Sequence, residues 1–157
     1  MITQNWKNGL LAKVLGTTIY GVATDGTKLG FTTNNTNGMY NQTYVSLPNA
    51  LTANYRYALF GNGTTQPTEL DTDLENQVDV TVSSTTSMWT TGTTDEYDST
   101  KLVHYITVTN NNSDNVSISE LGIFAYISSK SYLLCREVFD TITLAKGESR
   151  TFEVVLE

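Results

Sequence analysis

Residues 61 to 76 read "GNGTTQPTELDTDLEN": a glycine-rich turn, then acids at alternating positions, Asp71, Asp73 and Glu75. Two chemistries could use such a pattern. A phosphate cradle needs Lys-Ser/Thr after its glycines. Here no lysine follows and the acids would repel the ligand. A hard cation is the better match, because carboxylate oxygens suit calcium. An EF-hand loop counted from Asp71, however, requires Gly at its sixth position and Glu at its twelfth, and these hold Asn76 and Val82. Asp71, Asp73 and Glu75 therefore stand as the weaker, metal-binding alternative, and the expectation is no metal and no cofactor. A connector explains more residues. Pro67 fixes a turn, Asp71 caps a single helical turn "TDLEN", and Leu70 and Leu74, four apart, pin that turn to the core. Gly61 and Gly63 give a sharp exit, and the segment carries the chain from one sheet to the other.

The remaining reactive residue types are sparse. His104, the sole histidine, shares a strand face with Leu102, Ile106 and Val108, which suits packing. A Ser-His-Asp triad would need it, yet no Gly-x-Ser-x-Gly elbow supplies a nucleophile. A glycosidase pair would come from Asp95, Glu96 and Asp98, but "TTDEYDST" reads as a solvated loop. Cys135, the single cysteine, excludes an intrachain disulfide and sits in "YLLCREVF" as a small buried hydrophobe. No enzyme is expected. Trp89, in "SSTTSMWTTGTTDEYD", is the best candidate for a loop aromatic that stacks on a sugar, which keeps a carbohydrate- or receptor-binding module as the alternative function. Glu120 stands among apolar neighbours, where an unpaired carboxylate is costly. A short turn near Ser128 to Ser131 brings Arg136 diagonally beside it, predicting a salt bridge or a backbone-bound carboxylate.

Those side chains need strands to place them. The 157 residues make one domain. With 39% hydrophobic and 16% charged residues the chain is too apolar for disorder. Threonine is a strand former and Asn and Gly mark turns. The net charge of −7, with nine scattered Lys and Arg, argues against nucleic acid and an anionic membrane as partners. No run approaches 18 apolar residues and no signal-peptide core is evident, so the chain is expected to be made in a cytoplasm and left unprocessed. The Asn-x-Ser/Thr triplets at Asn34, Asn41, Asn62, Asn111 and Asn115 then reflect composition.

Along the chain, "WKNGLLAKVLG" suggests a short helix bounded by Gly9 and Gly16, and "TTIYGVATDGTKLGFTT" a hairpin around a two-residue Asp25-Gly26 turn. "NNTNGMYNQTY" reads as a loop or arm. Strands are predicted at "YRYALF" (55–60), "VDVTVSS" (78–84), "LVHYITVTN" (102–110), "VSISELGIFAYI" (116–127), "YLLCREVF" (132–139), "ITL" (142–144) and "RTFEVVLE" (150–157), with a Thr-rich connector, or alternatively an outlying hairpin, after the second. Short strands and tight polar turns predict an all-β chain, an antiparallel β-sandwich of jelly-roll or Ig-like kind. Residues 1–53 form an N-terminal arm of the same structural unit and 54–157 the sandwich domain. In 116–127 Leu121 and Ile123 stand opposite Phe124 and Tyr126, so both faces are apolar and both need cover, from the N-terminal segment or from another subunit.

The blocks "LFGNGTTQPTELDTDLENQV", "LVHYITVTNNNSDNVSISELGIFAY" and "YLLCREVFDTITLAKGESRTFEVVLE", in that order over residues 55 to 157, resemble a β-sandwich domain of structural proteins from tailed bacteriophages. That family has a Gly-x-Gly-Thr-Thr-x-Pro…Asp-Thr-x-Leu segment, a Ser-Glu-Leu/Val-Gly-Leu/Ile-Phe strand, a Leu-Leu-x-Arg-x-Val-Phe strand and a Gly-bearing turn before its last strand. Cys135 departs from the small residue of the pattern before Arg136, and the first 50 residues are not covered. The resemblance implies a virion component of the neck, tail, fibre or head decoration, whose partners are copies of itself in a trimer or ring and other virion proteins. Leu121, Ile123, Glu120 and Arg136 would then serve structure and interface, and the glycine-rich acidic stretch would have no catalytic duty.

Overall fold

A computed structural model describes residues 1–15, 18–31, 56–90, 101–127 and 129–156. They form one helix, α1 (Gln4–Leu15), and eight strands: β1 (Ile19–Val22), β2 (Lys28–Phe31), β3 (Arg56–Gly61), β4 (Thr81–Thr90), β5 (Lys101–Thr109), β6 (Val116–Ile127), β7 (Lys130–Leu144) and β8 (Ser149–Leu156). Every strand pairing is antiparallel, in the hairpin β1-β2 and in two three-stranded sheets, β3-β6-β7 and β4-β5-β8. The described residues are mostly β-strand with little helix, compatible with an all-β chain. The expected arm "NNTNGMYNQTY" and Asp95, Glu96 and Asp98 lie outside the described residues.

The alternation of Val78, Val80 and Val82 is realised: all three pack on the main core. Regular pairing, however, starts only at Thr81 and runs to Thr90 opposite Lys101, so the Thr-rich segment extends the strand, as the hairpin alternative expects and the connector reading does not. Threonine and serine suit both faces of a strand, so no alternation marks the continuation there. "YLLCREVF" and "ITL" are one strand, β7, of 15 residues.

The main core draws Phe60, Ile118, Leu121, Ile123, Cys135 and Leu144 from one sheet and Ile106 and Val108 from the other. Phe152 of β8 packs at 5.1 Å ring-to-ring on both Phe60 and Phe139, tilted contacts that suit aromatic quadrupoles. Residues 62–80 carry the chain from β3 to β4, between the two sheets, as expected of a connector.

The two-sided apolar pattern of β6 has a specific cause. The β6-β7 register shifts between Ile118 and Glu120. There one β6 residue, Ser119, stands against three of β7, residues 139–141, and such a bulge breaks the strict alternation of faces. Val116, Ile118, Leu121 and Ile123 therefore all meet the main core, while Glu120, Gly122 and Phe124 turn to the other face. A second shift beside Leu134 does the same for Cys135 and Leu133. On that outer face Phe124 and Leu133 are covered by Leu74 of the connector, with Leu59 alongside.

The connector holds no helical turn. Leu74 is buried, but Leu70 is 79% exposed, so the expected pairing of the two leucines on the core fails. Leu74→Ala should cost about 2–3 kcal/mol in urea unfolding. Leu70→Ala should stay within about 0.5 kcal/mol of the parent.

Residues 1–15 and 18–31, within the expected N-terminal arm, are tied to their own sheet and to one another. Ile2 bridges Cys135. Thr3 N–H donates to Leu134 O (2.9 Å) and Arg136 N–H to Met1 O (3.0 Å). The Thr3 hydroxyl donates to Leu133 O (2.6 Å). Asn5 Nδ2 donates to Val22 O (2.7 Å) and its Oδ1 accepts from Val22 N–H (2.8 Å). These tertiary bonds set the helix start upstream of the expected boundary and leave Gly9 buried within it. The hairpin turn is one residue longer than expected. Ala23 N–H donates to Thr27 O (2.9 Å) and Gly26 takes φ +80°, as in a three-residue loop with a left-handed last position.

Candidate functional site

Glu120 and Arg136 form the buried pair that the sequence predicts, and the connector is folded around it. In the β6-β7 register Glu120 faces Val138 and Arg136 faces Gly122, which makes the two diagonal neighbours. Glu120 is 0% exposed and Arg136 3%. Arg136 Nε donates to Glu120 Oε2 at 2.9 Å, and Nη2 lies 2.9 Å from the same oxygen. Burial of an ion pair is tolerable only when the remaining lone pairs and protons are satisfied.

The connector supplies partners for the carboxylate, while Arg136 Nη2, buried beside it, makes no hydrogen bond among the described residues. Glu120 Oε1 accepts from Gly63 N–H (3.1 Å) and Asn76 N–H (2.9 Å), and Oε2 from Glu75 N–H (3.1 Å). Ser119 Oγ donates to Gly63 O (2.8 Å). One carboxylate on β6 thus holds both ends of a loop. The glycines are where it comes nearest. A Cβ on Gly61 would lie 2.6 Å from Asn76 O, and one on Gly63 2.5 Å from Glu75 Cβ and 2.7 Å from Glu120 Oε1. Sequence reasoning assigned these glycines to a sharp exit; their role here is space for the carboxylate.

Asp71 and Glu75, two of the three acids first weighed as cation ligands, serve the same cross-link. Asp71 Oδ2 accepts from Arg136 Nη1 at 2.8 Å, and Thr68 gives Asp71 its N–H (3.0 Å) and hydroxyl (2.7 Å). Asp71 therefore closes a turn on Thr68 and does not cap a helix. Glu75 Oε2 accepts from Thr64 N–H and Thr65 N–H, each at 2.9 Å, and lies 3.6 Å from Arg136 Nη2. Asp73 accepts from Leu74 N–H at 2.8 Å. An open depression of about 420 Å³ above Arg136 is lined in part by Thr65, Leu70, Asp71, Asp73 and Glu75. Among the described residues no three His, Cys, Asp or Glu side chains group to hold a metal.

The charges respond to these contacts. Burial pushes the Asp71 carboxyl up, but the Thr68 hydroxyl and N–H and the Arg136 guanidinium outweigh it, and the net direction is down. Glu75 is lowered, chiefly by the Thr65 N–H. Asp73 is raised by burial and by the Glu120 charge. Carboxyls depressed in the folded state stabilise above their unfolded pKa, about 4, and lose that contribution as pH falls through the folded value. Asp73 works the other way and offsets part of it. The urea midpoint should therefore hold above about pH 5 and fall as acid is added below about pH 4. Asp71→Asn should flatten that fall.

Cys135 is buried in the core, and burial pushes its thiol up to about 11. This agrees with a packing residue. Leu121 and Ile123 point into the main core and do not form an exposed interface. Trp89 stands on β4 opposite Leu102 and not on a loop; its side chain and that of His104 lie outside the described residues. The pairing of Glu120 with Arg136 was signalled by a lone acid in an apolar strand. The backbone half of the site had no comparable signal beyond the spacing of Gly61 and Gly63.

No protein-family model, no curated protein and no solved structure matches this chain.

Proposed function

We propose that this chain is a structural component of a tailed-phage virion, at the neck, tail, fibre or head decoration, acting by protein–protein assembly. In this reading its two sheets make an antiparallel β-sandwich, and its partners are copies of itself in a trimer or ring and other virion proteins. It resides in the particle and catalyses nothing.

One observation carries the reading. Residues of the phage-like blocks, Gly61, Gly63, Asp71, Glu120 and Arg136, lie in different strands and a connector yet converge on one cross-link. Their chemistry is spent on locking β3, β6, β7 and the connector together, a duty suited to a scaffold that must keep its shape under load. The three sequence blocks supply the family, and the geometry supplies a structural reason for their residues.

Immuno-electron microscopy of particles from the encoding phage tests this. The chain is expected at one symmetric position with fixed stoichiometry in purified virions. Its absence from purified virions would overturn the proposal.

A further inference from the structure

The two three-stranded sheets have four outer edges, and the chain treats them differently. The β7 edge is covered by Met1–Thr3. The β3 edge is six residues long and begins with Arg56. At its Gly61 end Gln77 bridges it, and Val78 N–H donates to Phe60 O at 2.9 Å. The β8 edge carries Arg150 and Glu153, and charged side chains discourage strand addition. The β4 edge has none of these devices. Among the described residues no strand lies beside it. Residues 80–94 contain no charge and no proline. The single register shift falls between Ser83 and Thr85, after which Thr85 to Thr90 follow β5 without interruption.

We infer that the β4 edge is a self-association surface. The β4 strand of one copy pairs antiparallel with the β4 strand of a second copy about a two-fold axis, joining two β4-β5-β8 sheets into one. An unpaired edge offers main-chain donors and acceptors to any extended strand. Charge selects the occupant. Two copies, each at −7, repel over most of their surfaces. They approach most cheaply along a segment where no like charges are opposed. A two-fold contact also presents the same Thr/Ser-rich strand from both sides. This inference rests on the assembly reading and adds to its trimer or ring contacts a separate two-fold contact between copies.

The test is sedimentation of the whole chain against two double variants, Thr86→Lys/Met88→Lys and Thr86→Glu/Met88→Glu. With pairing centred on Ser87, position 86 of one copy faces position 88 of the other. Each double variant then opposes like charges, and a one-to-one mixture opposes unlike ones. The parent should dimerise with concentration. Each double variant alone should associate at least about tenfold more weakly, and the mixture should recover the dimer. Hydrogen exchange of the unaltered chain gives a readout that needs no variant: β4 amides should slow as concentration rises, with β5 amides unchanged. A parent that stays monomeric at about 100 µM, double variants that associate like the parent, or β4 protection independent of concentration would each overturn the inference. A monomer found in virions sinks the pairing alone; a dimer absent from virions sinks the virion reading alone.

Discussion

An Arg136→Met chain should unfold about 3–5 kcal/mol more easily than the parent, the usual cost of removing one partner from a buried pair. The substitution keeps much of the stem volume and deletes the charge. It leaves Glu120, 0% exposed, as a buried anion with backbone donors but no cation, and it frees Asp71 from its partner at 2.8 Å. Glu120→Gln is the gentler change. Both carboxylate oxygens accept bonds, Oε1 from Gly63 and Asn76 and Oε2 from Glu75 and Arg136. An amide has a single oxygen, so its NH2 must face donors, at a cost of about 1–3 kcal/mol. In the double variant neither charge is stranded, and the loss should be well below the sum of the singles. Urea unfolding of the four chains measures the cycle. Additive losses, or an Arg136→Met chain within about 1 kcal/mol of the parent, would show that the cross-link does not stabilise the fold.

The pair was legible because a lone acid inside "SELGIF" has few physical solutions, and a short hairpin turn places one cation within reach. Strand existence was legible wherever one face was apolar, as in β3, β5, β6 and β8. The facing of β6 was not. Strict alternation assumes an unbroken pleat, and the register shift between Ile118 and Glu120 breaks it without any glycine or proline to mark the place. The same limit hid the length of β4, whose Thr and Ser residues suit either face. Leu70 and Leu74 share helical spacing, but the connector's backbone is held by Glu120 and by the Thr68–Asp71 turn, so no helix forms and Leu70 stays in solvent. The docking of residues 1–3 on β7 was equally hidden, since strand addition by main-chain bonds needs no particular side chain beyond Thr3.

Gly61→Ala, at the end of β3 against the connector, should cost about 3 kcal/mol, near the upper end for overpacking. The added carbon would sit 2.6 Å from the backbone oxygen of Asn76 and 2.7 Å from Glu120 Cγ. Neither neighbour is a flexible tip. Asn76 is fixed by its own N–H bond to Glu120 and by its carbonyl's bond from Asn62 N–H at 2.9 Å. To relieve the clash the connector must lift, which lengthens the bonds that satisfy the buried carboxylate. The methyl therefore acts on the ion pair from a distance of one residue contact, and the two sites cannot be independent. On a Glu120→Ala background, where the carboxylate is gone, the same glycine change should cost less than it does alone. Thr64→Ala, exposed and using only its N–H in the network, should stay within about 0.5 kcal/mol. Thermal unfolding of these chains separates the cases. A Gly61→Ala chain as stable as the Thr64→Ala chain would mean that the connector grips the carboxylate only loosely.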